Sequence, residues 1–415
     1  MANSIFYPEK YYIEPITSQD ASISDLSQIS DISTSNLKQS LTTDLCTGIN
    51  SFSYLSITIH YIDNDWKFVN LILDFIELPH PHTGAGISES IQASLESFKI
   101  HDKVMAVTHD NSKNMIAALR ILSQTYTELY GLSLYNHRCL AHIINIIVDE
   151  GMIVLNDKLQ KINKFVKKLH TSPKYMKEFL DITGGIRIPL DVVTRWNSKF
   201  LMISSINKNL DAVNKLGKKG SHQDGQLFIN NEESIFFKDV EDFLKHFYKI
   251  TLEASSATNT TIGSSVLFIN CIENILNHYI TGDTVLKNTA ESSASENDIL
   301  DIEALPFSVS MHNSLRKGAL QLNYPLKDEI SLYLKEDVAS LTTNVLEWWS
   351  NNNNSYPNLS LMAKDFLAQQ TTSVASERIY SKAVERITKK RNKMSSTIPF
   401  PKLRFYINKF IFKEK

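Results

Sequence analysis

The chain has 415 residues, of which 42% are hydrophobic and 21% charged, a composition typical of a folded globular protein with more than one domain. Its formal net charge of −2 gives no overall attraction to nucleic acid, so DNA binding would have to rest on local basic patches. The three cysteines, Cys46, Cys139 and Cys271, exclude a disulfide framework and indicate a reducing compartment. No apolar run is long enough to span a membrane, and the first residues lack the pattern of a signal peptide.

The amino-terminal half predicts a mixed sheet. Residues 1–37 are rich in Ser, Asp and Ile, and we interpret them as a poorly ordered lead-in. Alternating and β-branched patterns predict three consecutive strands in SLTTDLCTG, YLSITIHYID and WKFVNLILDFIEL. A helix, a strand and two more helices are then predicted in SESIQASLESF, KVMAVTHD, NMIAALRILSQTYTELY and CLAHIINIIVDEGMIVL. Three adjacent strands followed by this order indicate a mixed α/β sheet, not an alternating βαβ array.

The carboxy-terminal half is predicted to be helical. Periodicity near 3.6 residues predicts helices from about residue 197 to residue 334, with an acidic, Ser-rich loop over NTAESSASENDILDIEALP. A final helical block follows and is broken once, at NNNNSYPNLS.

Two acidic residues end predicted strands: Asp44 in LTTDLCTG and Asp110 in VMAVTHDNSKNM. Open α/β sheets place their sites at the carboxyl ends of strands, although a strand-end Asp is often only a turn residue. Two carboxylates there repel each other unless a divalent cation lies between them, and oxygen ligands suit Mg²⁺ or Mn²⁺. Glu377 in TTSVASERIYSKA is either a solvated charge at a helix start or the third ligand of a two-metal site for phosphoryl displacement.

Six segments of the chain, taken in order, resemble the hAT superfamily of DNA transposases and its BED-type zinc-finger relatives. They are LTTDLCTG, VTHDNSKNM, RCLAHIINIIV, VTRWNSKFLMI, LEWWSNNNNSYPNLSLMAKDFLA and TTSVASERIYSKA. The resemblance implies an RNase H-like α/β fold with a helical insertion and a C-terminal dimerisation segment. After the lead-in 1–37, we therefore expect a first part of the catalytic core at 38–205 and the insertion at 206–335. The dimerisation region, with the last catalytic helix, is expected at 336–415.

The same resemblance implies site residues. Matched by motif, the family's D-D-E metal triad becomes Asp44, Asp110 and Glu377, serving as catalytic residues and as ligands of Mg²⁺ or Mn²⁺ in a two-metal site. Cys139 and His142 match the family's C/D-x-x-H motif and share a helix face. They are either a buried Cys with a core His, or support for the metal pocket or the DNA end. Two ligands do not make a zinc site, so no zinc site is predicted.

Further residues are assigned by position. Arg195, Trp196 and Arg378 are candidates for contact with the metal pocket or the DNA end, although a Trp in this place is more often part of a core. An apolar set in the C-terminal block is expected to form core or dimer packing: Trp348, Trp349, Tyr356, Leu359, Met362 and Phe366.

The sequence also departs from the family pattern. We find no Cys₂–His₂ BED finger ahead of the catalytic region, which leaves the specificity of DNA binding in doubt. Cys46 stands two residues after Asp44, where the family often has a Trp, and a thiol cannot replace the stacking area of an indole. The family's LDPR-like segment before the dimerisation block is not found either.

These observations support two hypotheses on function. The first is a Mg²⁺-dependent transposase-derived protein that binds DNA in the nucleus and associates as a homodimer or higher oligomer, without a membrane partner. Its basic patches would be the lysines of KLQKINKFVKKLHTSPKYMK and the run KKRNK, which could also act in nuclear import. The alternative is a non-catalytic domesticated or decayed hAT protein acting as a dimeric chromatin-associated scaffold.

Overall fold

In the computed structural model of the chain, the described residues are 37–47, 53–78, 81–153, 155–191, 196–218, 228–256, 260–281, 286–287, 324–337, 339 and 343–378. Residues 1–36 of the predicted lead-in, the acidic Ser-rich loop and the run KKRNK lie outside them. The chain divides into two compact units. The first comprises Met1–His142, Ala254–Val266 and Ala304–Lys415, and the second comprises Ile143–Glu253 and Leu267–Glu303.

The first unit is built on a five-stranded sheet in the order β3-β2-β1-β4-β5. Its strands are β1 (Gln39–Thr47), β2 (Ser53–Ile62), β3 (Phe68–Leu78), β4 (Val104–His109) and β5 (Tyr135–Arg138). The first three strands pair antiparallel, whereas β4 is parallel to β1 and β5 is parallel to β4. The four predicted strands are confirmed. The short strand β5 was not predicted, because the residues YNHR carry no apolar alternation.

Two predicted helices are confirmed beside this sheet, α1 (Gly84–Ser97) and α2 (Lys113–Tyr130). They cross closely at Gly84, where an added Cβ would lie 2.8 Å from the Cβ of Ala117, so a larger residue there would force the helices apart. Apolar side chains of both helices and of the inner strands form one buried core: Leu41, Leu55, Ile57, Ile59, Ile87, Ile91, Leu95, Met115, Leu119 and Leu122.

The second unit is helical, as the periodicity predicts. Its helices include α4 (Asn156–Thr171), α5 (Pro173–Thr183), α6 (Trp196–Lys208) and α7 (Leu210–Gly217). Three further helices have at least one end in this unit: α3 (Leu140–Ile153), α8 (Asn231–Ala254) and α9 (Ser265–Thr281). None of the helices in the described ranges is long and apolar enough to cross a membrane.

Helix α4 separates an apolar from a basic face. Its predicted buried stripe, which includes Ile162, Phe165 and Val166, is at most 1% exposed, and Lys161 and Lys164 are exposed. The two faces follow from the 3.6-residue period of the helix.

The first unit also contains three C-terminal helices, α10 (Tyr324–Tyr333), α11 (Val345–Asn352) and α12 (Pro357–Leu367). The buried carboxylate of Glu329 on α10 accepts the backbone N–H groups of Asn358 and Leu359, each at 3.0 Å, and the Asn358 side-chain amide at 2.6 Å. A carboxylate at a helix N-terminus satisfies backbone donors that have no partner within the helix. The contact therefore fixes α12 against α10.

Helix α12 is also attached to the sheet. The Lys364 ammonium donates to the carbonyl of Asp63 at 2.8 Å and lies 4.6 Å from the ring centre of Trp66, both in the β2–β3 hairpin. The next residue, Asp365, accepts the backbone N–H of Lys38 at 3.3 Å. Two neighbouring side chains of α12 thus join sequence-distant parts of the same unit.

This attachment predicts a pH-dependent stability. Burial raises the pKa of Asp365 to about 6, whereas an unfolded Asp titrates near about 3.9. The folded protein therefore holds the proton more tightly, and its stability falls as the pH rises through this window. We expect Asp365→Asn, which keeps the acceptor oxygen, to increase the free energy of unfolding at pH 7.5 by up to about 2 kcal/mol. Urea unfolding should show the gain disappearing below about pH 4. The exposed Asp102→Asn should show no such trend, and a pH-independent gain in Asp365→Asn would contradict the assignment.

Candidate active site

The sheet brings Asp44 and Asp110 side by side. In the parallel pairing of β1 with β4, Thr43 lies opposite His109, and each Asp is the next residue in its strand direction. Both side chains are nearly buried, with 8% of Asp44 and 9% of Asp110 exposed. The two carboxylates therefore lie at the carboxyl ends of adjacent parallel strands, as the sequence predicts.

Asp110 is held in place by the turn that follows it. Its Oδ1 accepts the backbone N–H of Ser112 at 3.3 Å and the Ser112 hydroxyl at 2.9 Å. Ser112 is in turn the N-cap of α2 and accepts the N–H of Met115 at 3.3 Å. An Asp followed two residues later by an N-cap Ser is a common way to start a helix. Here the same arrangement orients one carboxylate oxygen of the site.

The segment leading to Glu377 lies across the core of the first unit. The Thr108 hydroxyl of β4 donates to the carbonyl of Gln370 at 2.5 Å, and the N–H of Leu140 donates to the carbonyl of Thr371 at 2.8 Å. The N–H of Ser373 donates to the Cys139 sulfur at 3.2 Å. Residues 369–374 are all buried, and these bonds satisfy backbone groups that burial would otherwise make costly.

Ser376 fixes the end of this segment on the sheet. Its buried hydroxyl donates to the carbonyl of Thr42 at 2.8 Å and lies 3.0 Å from the hydroxyls of both Thr42 and Thr58. The Ser56 hydroxyl donates to the carbonyl of Ser376 at 3.2 Å. Because Ser376 is bound to β1 and β2, the next residue, Glu377, lies beside the end of β1. Its side chain is 12% exposed.

The pKa of Asp44 is consistent with nearby positions of Asp110 and Glu377. Burial raises the pKa of Asp44 well above its usual value, and the negative charges of Glu377 and then Asp110 raise it further. Like charges have this effect only at short range. Asp44, Asp110 and Glu377 therefore lie in one electrostatic neighbourhood, whereas the group of described side chains whose ligand atoms all lie within 4.8 Å of one another is Cys139, His142 and Glu377. The metal triad of Asp44, Asp110 and Glu377 stays a prediction.

Cys139 and His142 lie next to the carboxylates. Cys139 is fully buried before α3, and the Nδ1 of His142 lies 3.8 Å from the Oε1 of Glu377. Burial acts to lower the pKa of His142, but interactions with the neighbouring Cys139 side chain, and then with Glu377 and Asp44, outweigh it, and the pKa is raised well above its usual value. An imidazolium here partly compensates the acidic cluster.

Cys46 occupies the place of the expected indole. Burial, followed by the charges of Asp44 and Glu377, raises the pKa of its thiol, and the Sγ donates to the carbonyl of Tyr54 at 3.4 Å. The group is therefore a neutral thiol beside the carboxylates.

The remaining predicted site residues have different environments. Arg378 donates to the carbonyl of Ser255 at 2.8 Å, a contact that attaches the segment to the first unit. Trp196 is 2% exposed and packs edge-to-face with Phe247 and Tyr248, as expected for a core residue. Arg195 lies outside the described residues.

Sequence reasoning missed Arg138, at the end of β5. Its Nε donates to the Oδ1 of Asn111 at 3.3 Å, and Asn111 is the residue that follows Asp110 in the chain. The positive charge of Arg138 also acts to lower the pKa of the neighbouring His109. The signal that could have found it is its position directly before the C-x-x-H motif.

The predicted dimerisation residues divide into two groups. Tyr356 and Leu359 are buried within the protomer, at 3% and 8% exposure, whereas Trp348 and Trp349 are half-buried and stack on Tyr356 and Tyr333, respectively. Met362 packs against this cluster, and Phe366 is half-buried. Four apolar residues nearby in sequence are exposed by 40–76% and were not selected from the sequence: Leu332, Tyr333, Leu334 and Val345.

Three family models match the chain. Residues 42–132 match the ZBED1 RNase-like domain, residues 137–242 match the ZBED1 RNase-like helical domain, and residues 329–398 match the hAT family C-terminal dimerisation region. With the mixed sheet, these matches confirm the expected fold class: an RNase H-like α/β core with a helical insertion and a C-terminal dimerisation segment.

Curated relatives agree with the models. A 175-residue region covering 40% of the chain is 33% identical to the putative AC transposase of Zea mays and 30% identical to the zinc finger BED domain-containing protein RICESLEEPER 2 of Oryza sativa subsp. japonica. These matches cover 22% and 24% of the relatives' own lengths. RICESLEEPER 4 of the same rice is 21% identical over 81% of the chain and 64% of its own length.

The position of Glu377 should depend on the Ser376 hydroxyl. In Ser376→Ala the hydroxyls of Thr42 and Thr58 lose a buried partner, and we expect the free energy of unfolding to fall by about 1–3 kcal/mol. Chemical denaturation would measure this change. Ser355→Ala, at an exposed serine, is the control and should change stability by less than about 0.5 kcal/mol. Equal effects in the two variants would show that the Ser376 hydroxyl holds nothing in place.

Proposed function

We propose that this chain, which belongs to the hAT transposase superfamily, uses Asp44, Asp110 and Glu377 as a divalent-metal site for cleaving and transferring DNA strands. The observation that carries the proposal is geometric: Asp44 and Asp110 directly follow the paired residues Thr43 and His109 at the carboxyl ends of β1 and β4, and the Ser376 hydroxyl holds the residue before Glu377 on β1. Buried acidic groups in such a cluster are a common feature of catalytic centres. The family membership supplies the reaction class, and the chain's own geometry supplies the residues.

The donor set fits a divalent cation. Three carboxylates lie together in a buried place, where their repulsion is unfavourable until a cation neutralises it. Their oxygens suit Mg²⁺ or Mn²⁺. When bound, the cations would activate the attacking hydroxyl and stabilise charge at the phosphorus.

The protein's own contribution is to position these ligands. Ser376 holds Glu377 against β1 and β2, and Ser112 orients one oxygen of Asp110. Both are positioning residues, because they act through a carboxylate. Preorganised ligands avoid the cost of rearrangement during the reaction.

DNA is the proposed partner, and the nucleus the proposed compartment. The exposed basic face of α4, with Lys161, Lys164 and Lys167, would neutralise phosphates without reading sequence. Lys161 also lies 3.5 Å from Glu233, so its contribution would be smaller than that of the other two.

Self-association is proposed for the C-terminal region. The hAT dimerisation model covers residues 329–398, and the helices there expose Leu332 and Leu334 by 55% and 76%. Exposed apolar side chains next to an aromatic cluster are typical of a protein–protein interface.

The non-catalytic scaffold is the less favoured alternative. A protein that had lost metal chemistry would have no functional need for three adjoining carboxylates, and Asp44 would be more stable as a neutral residue.

Manganese binding tests the proposed site. Calorimetry should show Mn²⁺ binding to the wild type and affinities at least about tenfold lower in Asp110→Asn and Glu377→Gln. Mn²⁺-dependent nicking of supercoiled plasmid should be lost in the same two variants. The control is Asp65→Asn, whose side chain is 80% exposed, and it should behave as the wild type. Absence of Mn²⁺ binding in the folded wild type, or equal loss in the control, would refute the proposal.

A second prediction concerns the oligomer. Leu334→Glu places a charge on the proposed interface and should lower the mass measured by light scattering, since an unpaired charge is costly to bury. Trp348→Ala with Trp349→Ala should act in the same direction. Leu129→Glu, on α2 of the same unit and at a site exposed by 63%, is the matched control. If all variants keep the wild-type mass, the interface lies elsewhere.

A further inference from the structure

A second set of candidate metal ligands shares one carboxylate, Glu377, with the proposed Mg²⁺ or Mn²⁺ site. The Sγ of Cys139, a ring nitrogen of His142 and a carboxylate oxygen of Glu377 all lie within 4.8 Å of one another. Sulfur and imidazole ligands differ chemically from the all-oxygen set of Asp44 and Asp110. They favour borderline-soft transition metals such as Zn²⁺, whereas carboxylates favour Mg²⁺ and Mn²⁺.

The backbone explains why these three groups meet. Cys139 is attached to the end of β4 by its N–H, which donates to the carbonyl of His109 at 2.8 Å. His142 follows three residues later in the first turn of α3, where its N–H donates to the carbonyl of Cys139 at 3.1 Å. The N–H of Ser373 donates to the Cys139 sulfur at 3.2 Å, and the Ser373 carbonyl accepts the N–H of Glu377 at 3.2 Å. Ser373 therefore both contacts the Cys139 sulfur and begins the helical turn that carries Glu377. Such outer contacts are typical of metal thiolates.

The distances allow one ion to contact the groups together once the side chains adjust. Zinc lies about 2.0–2.1 Å from an imidazole nitrogen and about 2.0–2.2 Å from a carboxylate oxygen, so tetrahedral geometry puts these two atoms about 3.4 Å apart. The His142 Nδ1 and Glu377 Oε1 are 3.8 Å apart, somewhat wider than that. With sulfur, at about 2.3 Å from zinc, the tetrahedral separation is about 3.6 Å. The Cys139 sulfur lies within 4.8 Å of the other two atoms, so side-chain rotation must bring the three ligands closer when the ion binds.

The His142 Nδ1 provides an independent observation. The atom is buried, although the His142 side chain as a whole is 38% exposed. It lacks a hydrogen bond of good geometry, because 3.8 Å to Glu377 is too long for one and its contact with the Cys139 side chain is a weak one. Buried polar atoms in folded proteins nearly always have a partner, and an exception often marks an absent ion or water. The atom faces a carboxylate and lies near a thiol, an arrangement that an ion of the Zn²⁺ class would complete. Three protein ligands and one water would give its usual coordination.

We propose that Cys139, His142 and Glu377 form a binding site for a borderline-soft cation of the Zn²⁺ class, which takes Glu377 away from the Mg²⁺ or Mn²⁺ site. Ligation by Cys139 and His142 stands on its own geometry, whereas the competition for Glu377 rests on the proposed function. Because a carboxylate can bridge two ions, competition requires that the soft ion takes both oxygens of Glu377 or turns them away from the Mg²⁺ or Mn²⁺ site. In that arrangement a soft metal ion is an antagonist of the hard metal ion at this centre.

Cobalt is a suitable probe, because Co²⁺ takes zinc-type geometry and absorbs light when a thiolate is bound to it. Titration of the reduced full chain with Co²⁺ should give a near-ultraviolet sulfur-to-cobalt band that saturates at one ion per chain. Cys139→Ser should abolish the band, and His142→Ala should lower the Co²⁺ affinity by at least about tenfold. Cys271→Ser, at an exposed thiol, and Cys46→Ser, at a thiol near Asp44, should both keep it.

Comparison with Mn²⁺ separates the two proposals. Calorimetry should show that Cys139→Ser keeps the wild-type Mn²⁺ affinity within about twofold, that Asp110→Asn keeps the Co²⁺ affinity within the same limit, and that Glu377→Gln weakens both by at least about tenfold. Saturation with Zn²⁺ should prevent Mn²⁺ binding to the wild type. A Cys139-dependent cobalt band without any Mn²⁺ binding would sustain the soft site and refute the proposed function.

Other outcomes overturn the soft-metal proposal itself. Absence of the cobalt band, or its persistence in Cys139→Ser, would show that the sulfur is not a ligand. Simultaneous binding of Zn²⁺ and Mn²⁺ at full stoichiometry would show that the two ions do not compete for Glu377. Circular dichroism of each variant distinguishes loss of a ligand from loss of the fold.

Discussion

The seating of Ser376 on strands β1 and β2 is the contact on which the candidate site depends. Its hydroxyl and carbonyl bond to Thr42, Thr58 and Ser56, residues more than three hundred positions away. The entropy cost of closing so long a loop grows only logarithmically with its length, but ordering the docked segment costs further conformational entropy. The buried hydrogen bonds of residues 370–376 offset that cost. A catalytic-type cluster thus exists only when this late segment has docked on an early sheet.

Docking of the segment that carries Glu377 places negative charges close together, and this repulsion shifts the pKa values of the neighbouring groups. Glu377 arrives beside two acidic groups, and the pKa of Asp44 rises because burial and two negative neighbours oppose its ionisation. The pKa of His142 rises because Cys139, and then Glu377 and Asp44, favour the imidazolium. Arrangements that oppose local stability in this way are characteristic of functional centres, where a ligand completes the charge balance. The proposed cations would offset this accumulation of negative charge.

The C-terminal helices connect this centre to the region that matches the dimerisation model. Helix α12 is attached to the β2–β3 hairpin through Lys364 and to Lys38 through Asp365, and the segment bearing Glu377 follows it directly. On the other side, Glu329 holds α12 against α10, whose end exposes apolar side chains. One continuous stretch therefore carries both the surface suited to a partner and the last carboxylate of the site.

The sequence by itself determined the element types and selected the candidate carboxylates. Alternation fixed β1 to β4, helical periodicity fixed the helices, and motif order selected Asp44, Asp110 and Glu377. It gave no sign of β5, whose four polar residues are a strand only because β4 offers an edge to pair with. Tertiary structure alone decided that Cys139 and His142 gain Glu377 as a neighbour, and that Tyr356 is buried in its own protomer. Local patterns record which face of an element is apolar, whereas meetings between distant segments depend on packing and hydrogen bonds that no local pattern contains.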